Sequence, residues 1–194
     1  GNNRIQKWKF NDTIGTTVAG SSSGTAGSSA SFLNNPVAVF RDATGNLYIA
    51  DAGNNRVQKW ASGATSGTTV AGSSSGTAGS TTSLLNNPRG LFVDASANIY
   101  VADAGNNRIQ KWASGATSGS TVAGSSSGTA GSSSSLLNAP SAVSVDGRGY
   151  IYIADVNNNR IQLWPSGAAN GITIAGSATG SSGSSAALLD DPKG

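Results

Sequence analysis

Apolar residues in this chain arrive in short runs, four to a unit, separated by stretches of Gly, Ser, Asn and Asp. One run follows a proline: Val37-Ala38-Val39-Phe40, then Gly90-Leu91-Phe92-Val93, then Ala142-Val143-Ser144-Val145. The next is Leu47-Tyr48-Ile49-Ala50, copied as Ile99-Tyr100-Val101-Ala102 and Ile151-Tyr152-Ile153-Ala154. A third is Arg56-Val57-Gln58-Lys59-Trp60 with its copies, and a fourth is Thr68-Thr69-Val70-Ala71 with its copies. Each run is β-branched or aromatic and bounded by turn residues, which predicts a strand. No stretch spaces its apolar residues as a helix would. Asp42-Ala43-Thr44-Gly45-Asn46 and Asp51-Ala52-Gly53-Asn54-Asn55 join successive strands, and both are rich in residues that tolerate positive φ or cap a turn.

The runs keep a fixed period. Trp8, Trp60, Trp112 and Trp164 recur every 52 residues, inside the phrases GNNRIQKW, DAGNNRVQKW, DAGNNRIQKW and DVNNNRIQLW. A period of that size means stacked copies of one supersecondary unit. Four antiparallel strands per unit predict the blade of a β-propeller, and hence an all-β fold.

The string YIADAGNNRIQKW, preceded by a proline-led strand, resembles the NHL repeat, and the resemblance recurs in every unit. It implies a β-propeller of four-stranded antiparallel NHL-type blades. The unit is longer than the roughly 40–45 residues of a typical blade. Its surplus lies in the connector Gly20-Ser21-Ser22-Ser23-Gly24-Thr25-Ala26-Gly27-Ser28-Ser29, which runs on to Leu33-Asn34-Asn35-Pro36. Leu33, Leu85, Leu137 and Leu189 recur as candidate anchors, and proline at 36, 88, 140 and 192 fixes the start of the next unit. The connectors are therefore expected to be ordered. The division expected is a partial blade at 1–35, blades at 36–87, 88–139 and 140–191, and the start of another at 192–194. That makes one propeller segment over 1–194, about three and a half blades, with exposed faces and edges. A longer native chain or self-association is expected to complete it.

Charge adds little. Of 194 residues, only 11% are charged, and the net charge is +3. There is no Cys, His or Met, and every acid is an aspartate, which removes disulfides and the usual metal ligands and general bases. No apolar run has the length of a membrane span, and the first residues lack the apolar core of a secretory signal.

Candidate residues follow from the repeat. Arg4, Arg56, Arg108 and Arg160 recur with Asp51, Asp103 and Asp155, each aspartate five positions before an arginine. They read as pairs that brace a turn or tie neighbouring blades, since a guanidinium satisfies several carbonyls at once; the alternative is a ring of ligand-binding charges. The four tryptophans read as inter-blade packing, the alternative being stacking platforms. Asp-Ala-Gly-Asn-Asn lacks the carboxylate count of a tight calcium site. No metal or other cofactor is expected.

NHL-like lyases depend on histidines that this chain lacks, and no serine stands in a nucleophile elbow, so the expectation is a non-enzyme with no catalytic residue. Some NHL domains bind RNA through a basic face. Here Lys7, Lys59, Lys111, Lys9, Arg41, Arg89, Arg148 and Lys193 are sparse and nearly balanced by aspartates, which argues against nucleic acid. Asn11-Asp12-Thr13 is the one N-x-S/T sequon, making Asn11 the candidate glycosylation site. In an up-and-down blade, the long connector and the turn between strands two and three share a face. That face is polar and rich in small hydrogen-bonding groups. The expectation is an extracellular or cell-surface structural or adhesion module that contacts protein or glycan through repeated weak contacts and self-assembles. The alternative is an RNA-binding NHL domain.

Overall fold

The computed structural model describes residues 1–193. Each predicted run is a strand. The chain opens with β1 (Arg4–Lys7) and β2 (Thr16–Gly20), paired with each other in a two-stranded sheet. Three four-stranded sheets follow. The first holds β3 (Pro36–Arg41), β4 (Leu47–Asp51), β5 (Arg56–Trp60) and β6 (Thr68–Gly72). The second holds β7 (Pro88–Val93), β8 (Ile99–Asp103), β9 (Arg108–Trp112) and β10 (Ser120–Gly124). The third holds β11 (Pro140–Val145), β12 (Ile151–Asp155), β13 (Arg160–Trp164) and β14 (Ile172–Gly176). In each, strands pair antiparallel in chain order, which is the up-and-down meander of a propeller blade.

Register repeats from sheet to sheet. Asp51 lies opposite Arg56, Tyr48 opposite Lys59 and Leu47 opposite Trp60, and the copies match. Between those strands, Ala52–Asn54 makes one 3-10 turn, and Asn55 takes the left-handed conformation at φ 51°. Asparagine enters that region at low cost, which explains its place in every copy.

The Pro-led strands β3, β7 and β11 lie side by side at the centre of the arc. At Gly90 a Cβ would sit 2.5 Å from the Ser141 carbonyl oxygen, so β7 and β11 approach this closely only through glycine.

The core lies between sheets. Trp112 packs with Tyr48, Val57, Ala71 and Leu85 of the preceding unit, and Trp164 packs with Tyr100, Ile109, Ala123 and Leu137. Trp60 reaches Ala19 and Leu33 in the same way. Each of these three tryptophans is thus a knob set into the sheet before it. Trp8 departs from the expected role: it is 58% exposed, because no sheet lies on its outer side among the described residues. Phe10 and Ile14 beside it are also exposed.

The Ser/Gly connectors are ordered loops. Leu33, Leu85 and Leu137 are fully buried, and Ala78–Leu85 and Ala130–Leu137 each form a parallel bridge that closes the loop on itself. Leu189 makes the same kind of bridge with Ser182 but is only half-buried, since no further sheet covers it among the described residues.

Candidate binding surface

The repeated arginine sits at the junction between units. Arg56 donates from Nε to Asp51 Oδ2 at 2.8 Å, from Nη1 to the Ser28 carbonyl at 2.7 Å, and from Nη2 to the Ser29 and Phe32 carbonyls at 3.1 and 3.2 Å. Arg108 repeats this with Asp103, Ser80, Thr81 and Leu84, and Arg160 with Asp155, Ser132, Ser133 and Leu136. One side chain therefore grips its own turn and the long connector of the previous unit. The aspartate is equally engaged: Asp51 also accepts from the Asn34 N–H at 2.6 Å and Asn54 Nδ2 at 2.8 Å.

Both partners of each pair are buried, so the charges cost free energy to desolvate and are held by this dense set of hydrogen bonds. Burial pushes the Asp103 and Asp155 carboxyls above the ordinary carboxylate value, while donors from Asn106 and Asn158, the Asn86 and Asn138 N–H groups, and the paired arginines pull the other way. With their oxygens aimed at N–H donors, these aspartates offer no cradle for calcium. Among the described residues no cluster of three or more metal-ligating side chains occurs.

Arg4 differs from its copies. Its guanidinium donates to the Ser22 carbonyl, but its Nε is buried without a partner. Among the described residues no aspartate stands opposite it, since β1 is paired with β2 alone there.

The basic residues do not form a continuous face. Three repeated arginines are buried in ion pairs, and Lys59 and Lys111 lie over the Tyr48 and Tyr100 rings at 5.4 and 5.2 Å. Trp60, Trp112 and Trp164 are buried, so they present no stacking platform. Asn11 is exposed at φ 65° in the turn between β1 and β2, which is closed by the Asp12 N–H on the Lys9 carbonyl at 3.1 Å.

The connector and the turn between second and third strands share one face, as expected: the Gly53 N–H donates to the Asn34 carbonyl at 2.9 Å and Asn54 Nδ2 to the Gly27 carbonyl at 2.8 Å. Each connector there carries a chain of hydroxyls. Ser73 Oγ lies 2.7 Å from Ser75 Oγ, which lies 2.9 Å from Thr77 Oγ1. Ser21-Ser23-Thr25 and Ser125-Ser127-Thr129 do the same, and Ser177-Thr179-Ser181 varies it. Sequence reasoning treated these loops as undifferentiated Ser/Gly. The signal was the alternate spacing of hydroxyl residues, repeated in every unit. Between the first two four-stranded sheets runs a cavity of about 540 Å³ lined by Tyr48, Lys59, Thr69 and Trp112.

Four-stranded antiparallel meanders arranged side by side around a common centre define an arc of a β-propeller. The family model of the NHL repeat matches residues 85–112, the segment running from the buried Leu85 to Trp112. Among solved structures, the nidogen/laminin complex superposes with a TM-score of 0.61 at 20% identity, over 88% of this chain and 54% of that one. A protein of unknown function from Bacteroides thetaiotaomicron gives a TM-score of 0.60 at 20% identity, over 79% of this chain and 40% of its own. An auxiliary nutrient binding protein from the same organism gives 0.59 at 17% identity, with the same coverages of 79% and 40%. The chain thus spans about half or less of these structures, and the likeness is one of fold. No curated protein matches it significantly in sequence.

Proposed function

We propose that this protein is a non-enzymatic repeat scaffold, an extracellular or cell-surface structural or adhesion module whose polar face makes repeated contacts with protein or glycan. The observation that carries this reading is the exposed hydroxyl ladder, presented in the same pose by each connector and held there by an arginine clamp. Small neutral donors and acceptors suit sugar hydroxyls and peptide groups, and equal spacing lets weak contacts add through avidity. The exposed Trp8, Phe10 and Ile14 at one end, and Ile172 and Ile174 at the other, support self-association. A glycan array and a panel of purified extracellular-matrix proteins test the reading. Binding should weaken stepwise as Ser73, Ser75 and Thr77, then Ser125, Ser127 and Thr129, are changed to alanine. Retention of full binding by the variant lacking both ladders would refute it. For RNA, the buried arginines leave too little basic surface; a salt-dependent gel shift at low ionic strength decides that alternative.

A further inference from the structure

The cavity between the first two four-stranded sheets runs along the free edge of a strand. β6 is the outermost strand of its sheet and β10 of the next, so each offers main-chain N–H and C=O groups on one side without a strand partner among the described residues. Each is followed by another complete sheet, so both grooves are bounded by whole units. Such edges are commonly guarded by a charged side chain or a proline. β6 reads Thr-Thr-Val-Ala-Gly and β10 reads Ser-Thr-Val-Ala-Gly, with neither guard.

The opposite wall is the turn at residues 113–117 of the next sheet, closed by the Ala116 N–H on the Ala113 carbonyl at 3.0 Å. Val70, Ile99 and Trp112 make an apolar floor, Val70 being the extra residue of a bulge in β6. Thr68, Ser114 and Thr117 bring exposed hydroxyls to the rim. Lys59 is the one charged residue lining the groove, among the described residues. Tyr48, Lys59 and Thr68 stand in register across three strands, a row that leads from a buried ring to the free edge. The Lys59 ammonium rests 5.4 Å from the centre of the Tyr48 ring. One unit on, Lys111 repeats this over Tyr100 and stands opposite Ser120 of β10.

We infer that the grooves along β6 and β10 are docking sites for an extended acidic segment of a partner protein, added as a further outer strand. Main-chain hydrogen bonds along the unguarded edge supply the affinity, and alternate side chains of the segment enter the groove. A carboxylate on the segment draws Lys59 or Lys111 off its ring toward the edge. With no carboxylate lining the groove, nothing there competes for that ammonium. The edge also favours a peptide over an acidic glycan, because only a peptide matches its alternating donors and acceptors. None of the ladder hydroxyls lines the groove, so this inference goes beyond the scaffold reading and fails separately from it.

The test uses the whole chain and a short labelled peptide of alternating Val and Thr with one central Glu, flanked by Gly-Ser for solubility. Fluorescence anisotropy should show saturable binding, and amides of β6 and β10 should gain protection from hydrogen exchange. The same peptide with Gln for Glu should bind about fivefold more weakly. Lys59→Ala with Lys111→Ala should abolish that difference without unfolding the protein. N-methylation along one edge of the peptide should prevent binding, and along the other should leave it intact. The variant lacking both hydroxyl ladders should bind the peptide as the unaltered protein does. No binding at millimolar peptide would overturn the inference, as would equal binding of the Glu and Gln peptides or indifference to N-methylation at either edge. Binding of an oligogalacturonate in place of the peptide would also overturn it, in favour of an acidic glycan.

Discussion

Arg108 donates from Nε to Asp103 Oδ2 at 2.8 Å, with both side chains buried, while its other nitrogens hold carbonyls of the connector before it. The pair is therefore a joint between units as well as a brace within one. Replacing Asp103 by Ala removes the acceptor of the Asn86 N–H, Asn106 Nδ2 and Arg108 Nε together, leaves buried donors unsatisfied, and should cost about 3–5 kcal/mol in urea unfolding. The exposed pair of Lys193 with Asp191 supplies the contrast, where Asp191→Asn should cost less than about 1 kcal/mol. Equal costs would show that the buried pair does not carry the junction.

Leu137 is fully buried under the next sheet, and Leu189 at the same position one unit on is half-buried. Leu137→Ala should lower stability by about 2–5 kcal/mol, and Leu189→Ala by clearly less. Thermal unfolding of the two variants checks the order, and a larger loss at Leu189 would contradict it.

Asn107 sits at φ 52°, accepts from the Ala139 N–H at 2.9 Å and donates to the Gly128 carbonyl at 2.9 Å. Glycine would fit the backbone but forfeit both bonds. Asn107→Gly should therefore still destabilise, by about 1–3 kcal/mol. A neutral or stabilising result in denaturant titration would mean that the left-handed turn alone selects the residue.

The tryptophans should divide three to one in solution. Trp8 is 58% exposed and Trp112 is 1% exposed. Acrylamide should quench the fluorescence lost in Trp8→Phe and leave most of the remainder untouched. Trp112→Ala should cost about 3–5 kcal/mol, whereas Trp8→Ala should leave the melting temperature nearly unchanged.

Two aspartates have proton affinities set in opposite directions. Burial pushes the Asp103 carboxyl above 3.8, whereas the Tyr150 N–H at 2.9 Å leads the groups that hold Asp146 below it. As pH falls, folded protein takes up the Asp103 proton before the unfolded chain does. Its contribution to stability is thus present at low pH and lost as pH rises through the folded value. Asp146 does the reverse, its contribution being present above 3.8 and lost as pH falls through its folded value. Carbon-13 titration of the carboxyls should place Asp103 above and Asp146 below 3.8, and the opposite order would refute this account.

The fold was legible because it is written several times over: each strand, each turn asparagine and each proline recurs at the same offset. The pairing of Asp103 with Arg108 could be suspected from their spacing. What the arginine does with its other nitrogens could not, because its partners are carbonyls of Ser80, Thr81 and Leu84, and any residue has one. The connector carried too little apolar signal to predict a fixed shape, and its order depends on that distant clamp and on one buried leucine. Trp8 misled for the opposite reason. Its local sequence is that of a buried residue, and only the arrangement of neighbouring sheets shows that no sheet covers it among the described residues.

The clamp has a consequence for how such a molecule changes over generations. Every junction joins an arginine on one unit to carbonyls on the one before, and those carbonyls come from the backbone, indifferent to side-chain identity. Deleting or duplicating a whole unit would bring together surfaces that already fit. Unequal crossover between near-identical gene segments would then lengthen or shorten the arc in one step, so that curvature and reach vary faster than the chemistry of any single contact.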